Sequence, residues 1–167
     1  MLAVVLGMAV SPAAQAAPGD GVSCAGGTSS TSIKPGLTLI GDRLQSVHVT
    51  AQSTNCQGSD VLKADLSLDA QGNGGCIPTL GIPNASATAR ITWTTSEGVS
   101  TSDLSGTFQL GLGGWSADAV ITSGQFKGRH LTVAGSHSQS EVINASNRCI
   151  AGKWDGSTAT VEQLTVS

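Results

Sequence analysis

Tyrosine is absent from this 167-residue chain, aromatic residues of all kinds make up 3 %, and Lys, Arg, Asp and Glu together only 11 %. A net charge of −3 with no basic run argues against nucleic acid and anionic membrane surfaces as partners, because both require clustered Lys and Arg. There is no Gly-x-Ser-x-Gly for a nucleophile on a strained turn, no Cys-x-x-Cys for redox work, and no His-x-His or zinc-knuckle spacing. Helix formers are scarce beyond the first residues, and neither a βαβ alternation, an internal repeat nor a linker divides the chain. What is plentiful is Gly, Ser and Thr. Ser and Thr cover the solvent faces of strands without charge, and Gly supplies turn conformations that other residues resist.

The most informative stretch is residues 87–110, ATARITWTTSEGVSTSDLSGTFQL. Ala89, Ile91 and Trp93 fall on one side of an extended chain and Arg90, Thr92 and Thr94 on the other, the period of a half-buried strand. Ser96-Glu97-Gly98 turns the chain back. On the return, Leu104, Gly106, Phe108 and Leu110 share a parity that Val99 and Thr101 do not, which predicts a bulge or slip between them. This is the expected central hairpin, with Trp93 its largest core side chain.

Residues 1–16, MLAVVLGMAVSPAAQA, combine an apolar stretch, Pro12 and the small-x-small triplet Ala14-Gln15-Ala16, and are expected to be a secretory signal peptide cut after Ala16. The apolar run is about half of what crosses a bilayer. No Lys or Arg precedes it, so the true start is expected upstream or Met1 is internal. Export would carry Cys24, Cys56, Cys76 and Cys149 into an oxidising compartment, where an even number of cysteines reads as two structural disulfides. Spacing leaves all three pairings open. Each bridge would close a long loop and contribute roughly 3 to 5 kcal/mol by the chain-entropy argument.

Further strands are expected at 28–35, an edge strand ending at Pro35; at 45–53; and at 61–70, where Leu62, Ala64, Leu66, Leu68 and Ala70 point inward. Residues 71–85, rich in Gly and Pro, read as a long irregular loop tied down through Cys76. Trp115 sits in a Gly-rich turn, followed by a strand from Ala117. Residues 123–128 read as a loop that folds Phe126 back onto the core, and 130–138 as its partner strand. Residues 144–156 read as loop, and 158–166 as a last strand burying Leu164 and Val166. About eight strands at regular spacing predict one all-β domain over 17–167, an antiparallel β-sandwich of immunoglobulin-like or jelly-roll-like kind.

Together, Ser23-Cys24-Ala25-Gly26-Gly27, Pro35-Gly36-Leu37-Thr38, Cys56-Gln57-Gly58-Ser59, Ile91-Thr92-Trp93 and Thr122-Ser123-Gly124-Gln125-Phe126-Lys127-Gly128 resemble the order of features in small secreted β-rich proteins of actinobacteria, of the streptomycete type, whose function is unknown. The resemblance implies a compact β-sandwich with Cys24 paired to Cys56 and Cys76 to Cys149, and it brings no catalytic residues. The chain departs from that pattern in its charges at Arg43, Lys63, Arg90 and Lys127 and in Trp115 and Trp154.

The residues offer little chemistry. Ser136 and His137 are adjacent and would face opposite sides of a strand. His48, His130 and His137 have no ligand spacing, so no metal and no cofactor are expected. Asp65 and Asp69 share a strand face but lie about 13 Å apart, beyond the separation of paired glycosidase carboxylates. Asp103, Asp118, Glu141 and Asp155 read as surface charges. The expectation is a secreted, monomeric, non-catalytic extracellular or cell-envelope module, structural or binding, whose partner is a cell-wall glycan or an extracellular protein. One alternative is a carbohydrate-binding module that stacks sugars on Trp115 and Trp154, both flanked by glycine in GGWSAD and GKWDG. Another is a protease inhibitor that presents the disulfide-braced loop around Cys76-Ile77-Pro78.

Overall fold

The computed structural model describes residues 21–167, and the expected signal peptide at 1–16 lies outside them. Among the described residues, ten strands form one antiparallel sheet: β1 (Val22–Ala25), β2 (Thr28–Leu37), β3 (Arg43–Ser53), β4 (Asn55–Gln57), β5 (Val61–Gly74), β6 (Gly81–Thr95), β7 (Gly98–Gly111), β8 (Gly114–Gly124), β9 (His130–Ser136) and β10 (Trp154–Val166). One helix, α1 (Gln139–Ile150), stands between β9 and β10.

The order β2-β3-β5-β6-β7-β8-β9-β10 is a meander in which each strand pairs with the next, and β10 returns to pair with β2, from Thr160 opposite Thr28 to Trp154 opposite Leu37. The ladder is therefore cyclic. The last residues of β10, beyond its pairing with β2, carry β1, which in turn pairs with the short β4. Gly27 makes the break between β1 and β2. It has φ +134°, and a Cβ there would stand 1.8 Å from the Gln52 carbonyl oxygen, so only glycine fits.

Period-2 patterning sets the inside. Val47 and Val49 on β3, Leu66 and Leu68 on β5, Ile91 and Trp93 on β6, Leu104 and Phe108 on β7, and Leu131 and Val133 on β9 are buried. Phe108 stacks on Trp115 with ring centroids 6.1 Å apart, and Phe126 meets Trp93 edge-on at 5.2 Å, the fold-back expected of its loop. Large rings need small neighbours: Gly135 lies under Trp115, where a Cβ would come within 2.6 Å of the indole nitrogen.

The structure corrects several expectations. Residues 71–85 are mostly strand, because β5 runs to Gly74 and β6 begins at Gly81, and only the short connection between them is irregular. Leu62 is exposed and Val61 buried, since a register shift between Val61 and Lys63 inverts the parity there. The β6–β7 register is continuous from Ala85 to Thr95, and Val99 points outward near the turn, 70 % exposed; the irregularity expected between Val99 and Leu104 lies on the other side of β7, where its pairing with β8 shifts register between Asp103 and Leu104. Residues 144–150 belong to α1. Its start is set by Ser138, whose hydroxyl accepts from the Glu141 backbone N–H, and it buries Ala145 and Cys149, four residues apart on one face.

Candidate functional site

The residues singled out in the sequence go to four different places. Cys24 is bonded to Cys56 directly across β1 and β4, and Cys76 to Cys149, which ties α1 to the connection between β5 and β6. Both tryptophans proposed for stacking are in the core, Trp115 at 3 % and Trp154 at 0 % exposure, and neither offers a face to a sugar. Trp115 is the first inward residue of β8, in parity with Ala117, Ala119 and Ile121, and its indole N–H donates to Ser29 Oγ at 2.9 Å. The Trp154 indole donates to the Gly156 carbonyl at 3.0 Å. Glycine on both sides suggested turns, whereas parity and a satisfied N–H place these rings inside.

The three histidines are not brought together. His48 Nδ1 lies 2.8 Å from Asp69 and His130 Nδ1 3.2 Å from Asp118, both pairs on the outer surface. His137 is buried, with Nδ1 2.7 Å from the Leu112 carbonyl and Nε2 3.0 Å from Ser157 Oγ. A carbonyl only accepts, so Nδ1 carries the proton and the Ser157 hydroxyl donates to Nε2. A serine hydroxyl on an imidazole is the beginning of an activated nucleophile. Here, however, Ser157 is buried, the His137 ring packs edge-on against Trp154 with centroids 6.4 Å apart, and the pair serves to satisfy two interior polar groups. Among the described residues, no group of three or more His, Cys, Asp or Glu is placed to hold a metal ion.

The braced loop around Cys76 is short, and its main chain is engaged. Gly41 N–H donates to the Ile77 carbonyl at 3.1 Å, Cys76 N–H to Thr38 at 2.9 Å, and Thr79 Oγ1 to Asp42 at 2.7 Å. Ile40, Ile77 and Leu80 remain exposed at this end of the sheet.

A concavity lies on the outer face of the sheet, a groove of about 980 Å³ centred on β3, β5, β6 and β7. Antiparallel pairing aligns its outward residues in rows across the strands. One row runs Thr28, Gln52, Asp65, Thr92; the next Thr50, Ser67, Arg90, Asp103; a third Asp69, Thr88, Ser105. Side chains in adjoining positions are about 5 Å apart across strands and about 7 Å apart along them.

The charges in the groove are held in place. Asp65 accepts from Gln52 Nε2 at 2.9 Å and lies 3.0 Å from Lys63 Nζ. Arg90 Nε donates to one Asp103 oxygen at 2.8 Å and Ser123 Oγ to the other at 2.9 Å. The hydrogen bond from Arg90, with that from Ser123, holds the Asp103 carboxyl below the usual carboxylate range, and the same bond raises the Arg90 guanidinium. Asp103 is thus an ionised acceptor at neutral pH rather than a proton donor. Read as sequence, Asp65, Asp69 and Arg90 were solvated surface; their cross-strand register was the signal that joins them.

No known protein family matches the chain, and no characterised protein and no solved structure is similar to it.

Proposed function

We propose that this chain is an exported, non-catalytic binding module of the cell exterior, and that its ligand lies on the outer face of β3, β5, β6 and β7. The observation that carries the proposal is the groove itself: a concave sheet face on which hydrogen-bonding side chains repeat in register. Rows of fixed donors and acceptors on a rigid sheet lose little conformational entropy on binding. The two disulfides fit an oxidising compartment, and the signal-peptide pattern of residues 1–16 supports export. Among the described residues no helix is long and apolar enough to cross a membrane, and the outward strand positions are mostly Ser, Thr, Gln and charged residues, the reverse of a lipid-facing barrel. The cyclic ladder supports a closed barrel rather than two separate stacked sheets.

The inhibitor reading has less support, because the Cys76 loop directs its main-chain groups to residues 38–42 and leaves few for a protease cleft. The test of the proposal is co-sedimentation of the purified protein with insoluble envelope from the producing cell. The wild type is expected in the pellet. Ser67→Trp, which fills the middle of the groove from an exposed strand position, is expected to stay in solution. Equal pelleting of both forms, or of neither, would sink the assignment of this face.

A further inference from the structure

We infer that the groove takes a neutral, hydroxyl-rich ligand, a linear glycan laid across the strands; this rests on the reading of that face as the binding surface. Charge is the first argument. Each carboxylate in the groove already has a cationic or histidine partner: Asp65 has Lys63, Asp103 has Arg90, and Asp69 has His48. A charged ligand would have to compete with those pairs. A neutral polyol need not, because carboxylate oxygens keep free lone pairs and Arg90 keeps further N–H groups after donating Nε.

Shape is the second argument. Carboxylate, amide and guanidinium groups are planar and two-pronged, and they alternate here with the small hydroxyls of Thr50, Ser67 and Thr88. Adjacent hydroxyls on a sugar ring present paired donors and acceptors that suit such prongs. The groove extends from Thr28 on β2 to Thr122 on β8. At about 4.8 Å per strand this is roughly 24 Å, the reach of about four or five sugar rings.

Affinity follows from what lines the face. Among the described residues, no aromatic side chain lines the groove. Binding therefore depends on hydrogen bonds, each with a modest net value, and a dissociation constant on the order of 10⁻⁴ to 10⁻³ M with fast exchange is expected.

The experiment is an amide-detected NMR titration of the purified protein with xylohexaose, cellohexaose, mannohexaose and N-acetylchitohexaose, and with hexagalacturonate as the anionic counterpart. At least one neutral sugar should shift amides confined to the groove, centred on β3, β5, β6 and β7 and reaching no further than Thr28 on β2 and Thr122 on β8. Ser67→Trp should abolish the response, and Asp65→Ala should weaken it about tenfold, as expected for one charge-assisted hydrogen bond. A response to hexagalacturonate as strong as to any neutral sugar would overturn the ligand class and leave the face as a binding surface. If none of the sugars moves groove amides, the glycan inference fails. The reading of the face survives that outcome only if Ser67→Trp still prevents sedimentation with envelope.

Discussion

Removing the Cys76–Cys149 bridge by the paired changes Cys76→Ala and Cys149→Ala should cost much of the domain's stability without dissolving its sheet. The bridge closes a loop 73 residues long. In the chain-entropy treatment its loss frees the unfolded chain by about 4 kcal/mol, and two nearly buried sulfurs give up their packing besides. For a domain of this size about 4 kcal/mol corresponds to a fall in melting temperature of roughly 8 to 16 °C. Thermal unfolding followed by far-UV circular dichroism reads the shift, and urea unfolding supplies a second observable. An unfolded state freed of this cross-link, with only Cys24–Cys56 remaining, exposes more surface, so the denaturant slope should rise. The strand signal at 20 °C should persist, because the cyclic ladder does not run through this bridge. A midpoint within about 3 °C of the parent, with an unchanged slope, would refute the reasoning.

Three further outcomes are expected. Gly135→Ala forces a Cβ to within 2.6 Å of the Trp115 indole nitrogen, which is held between Phe108 and Ser29, and should cost about 1 to 3 kcal/mol in urea unfolding; a neutral result would mean Trp115 is loosely seated. Ser138→Ala deletes the cap of α1 and should cost about 1 kcal/mol, with helical ellipticity reduced; full retention of both would remove the cap from the account of the helix. The Asp103 carboxyl, followed by NMR against pH, should titrate below the ordinary aspartate value of about 3.9 and move back toward it in Arg90→Ala. Because the folded value is depressed, whatever the ion pair contributes is present above that ordinary value and is lost as pH falls through the lower, folded one. A midpoint indifferent to Arg90 would show that the pair is not formed in solution.

Much of the inside was legible in the sequence, and less of the outside. Alternation alone placed Val47, Leu66, Ile91, Trp93 and Leu164 in the core, because a side chain's face follows from parity once a strand is recognised. The same rule failed at Leu62, where one extra residue inverts the parity, and it was overridden at Trp115 by glycine neighbours although the parity with Ala117 and Ile121 was visible. The helix went unread: Ser138 and Glu141 are spaced as in a capping box, but Asn144 and Asn147 in a chain poor in helix formers masked it. Cysteine parity implied bridges, while partners depend on which strands meet. The groove was hidden for that same reason: Gln52, Asp65, Arg90 and Asp103 are ordinary surface residues until the register of four strands aligns them.

Closure of the ladder carries one more consequence. Val22 lies opposite Val166, so the first and last described strands run side by side at one end of the ring. Such a ring has no preferred starting point. A short linker from residue 167 back to residue 21, with the chain opened instead at Ser96-Glu97, keeps every strand pair and the whole polar face in place. The order in which the strands are synthesised and the shape they adopt are in this fold separable properties.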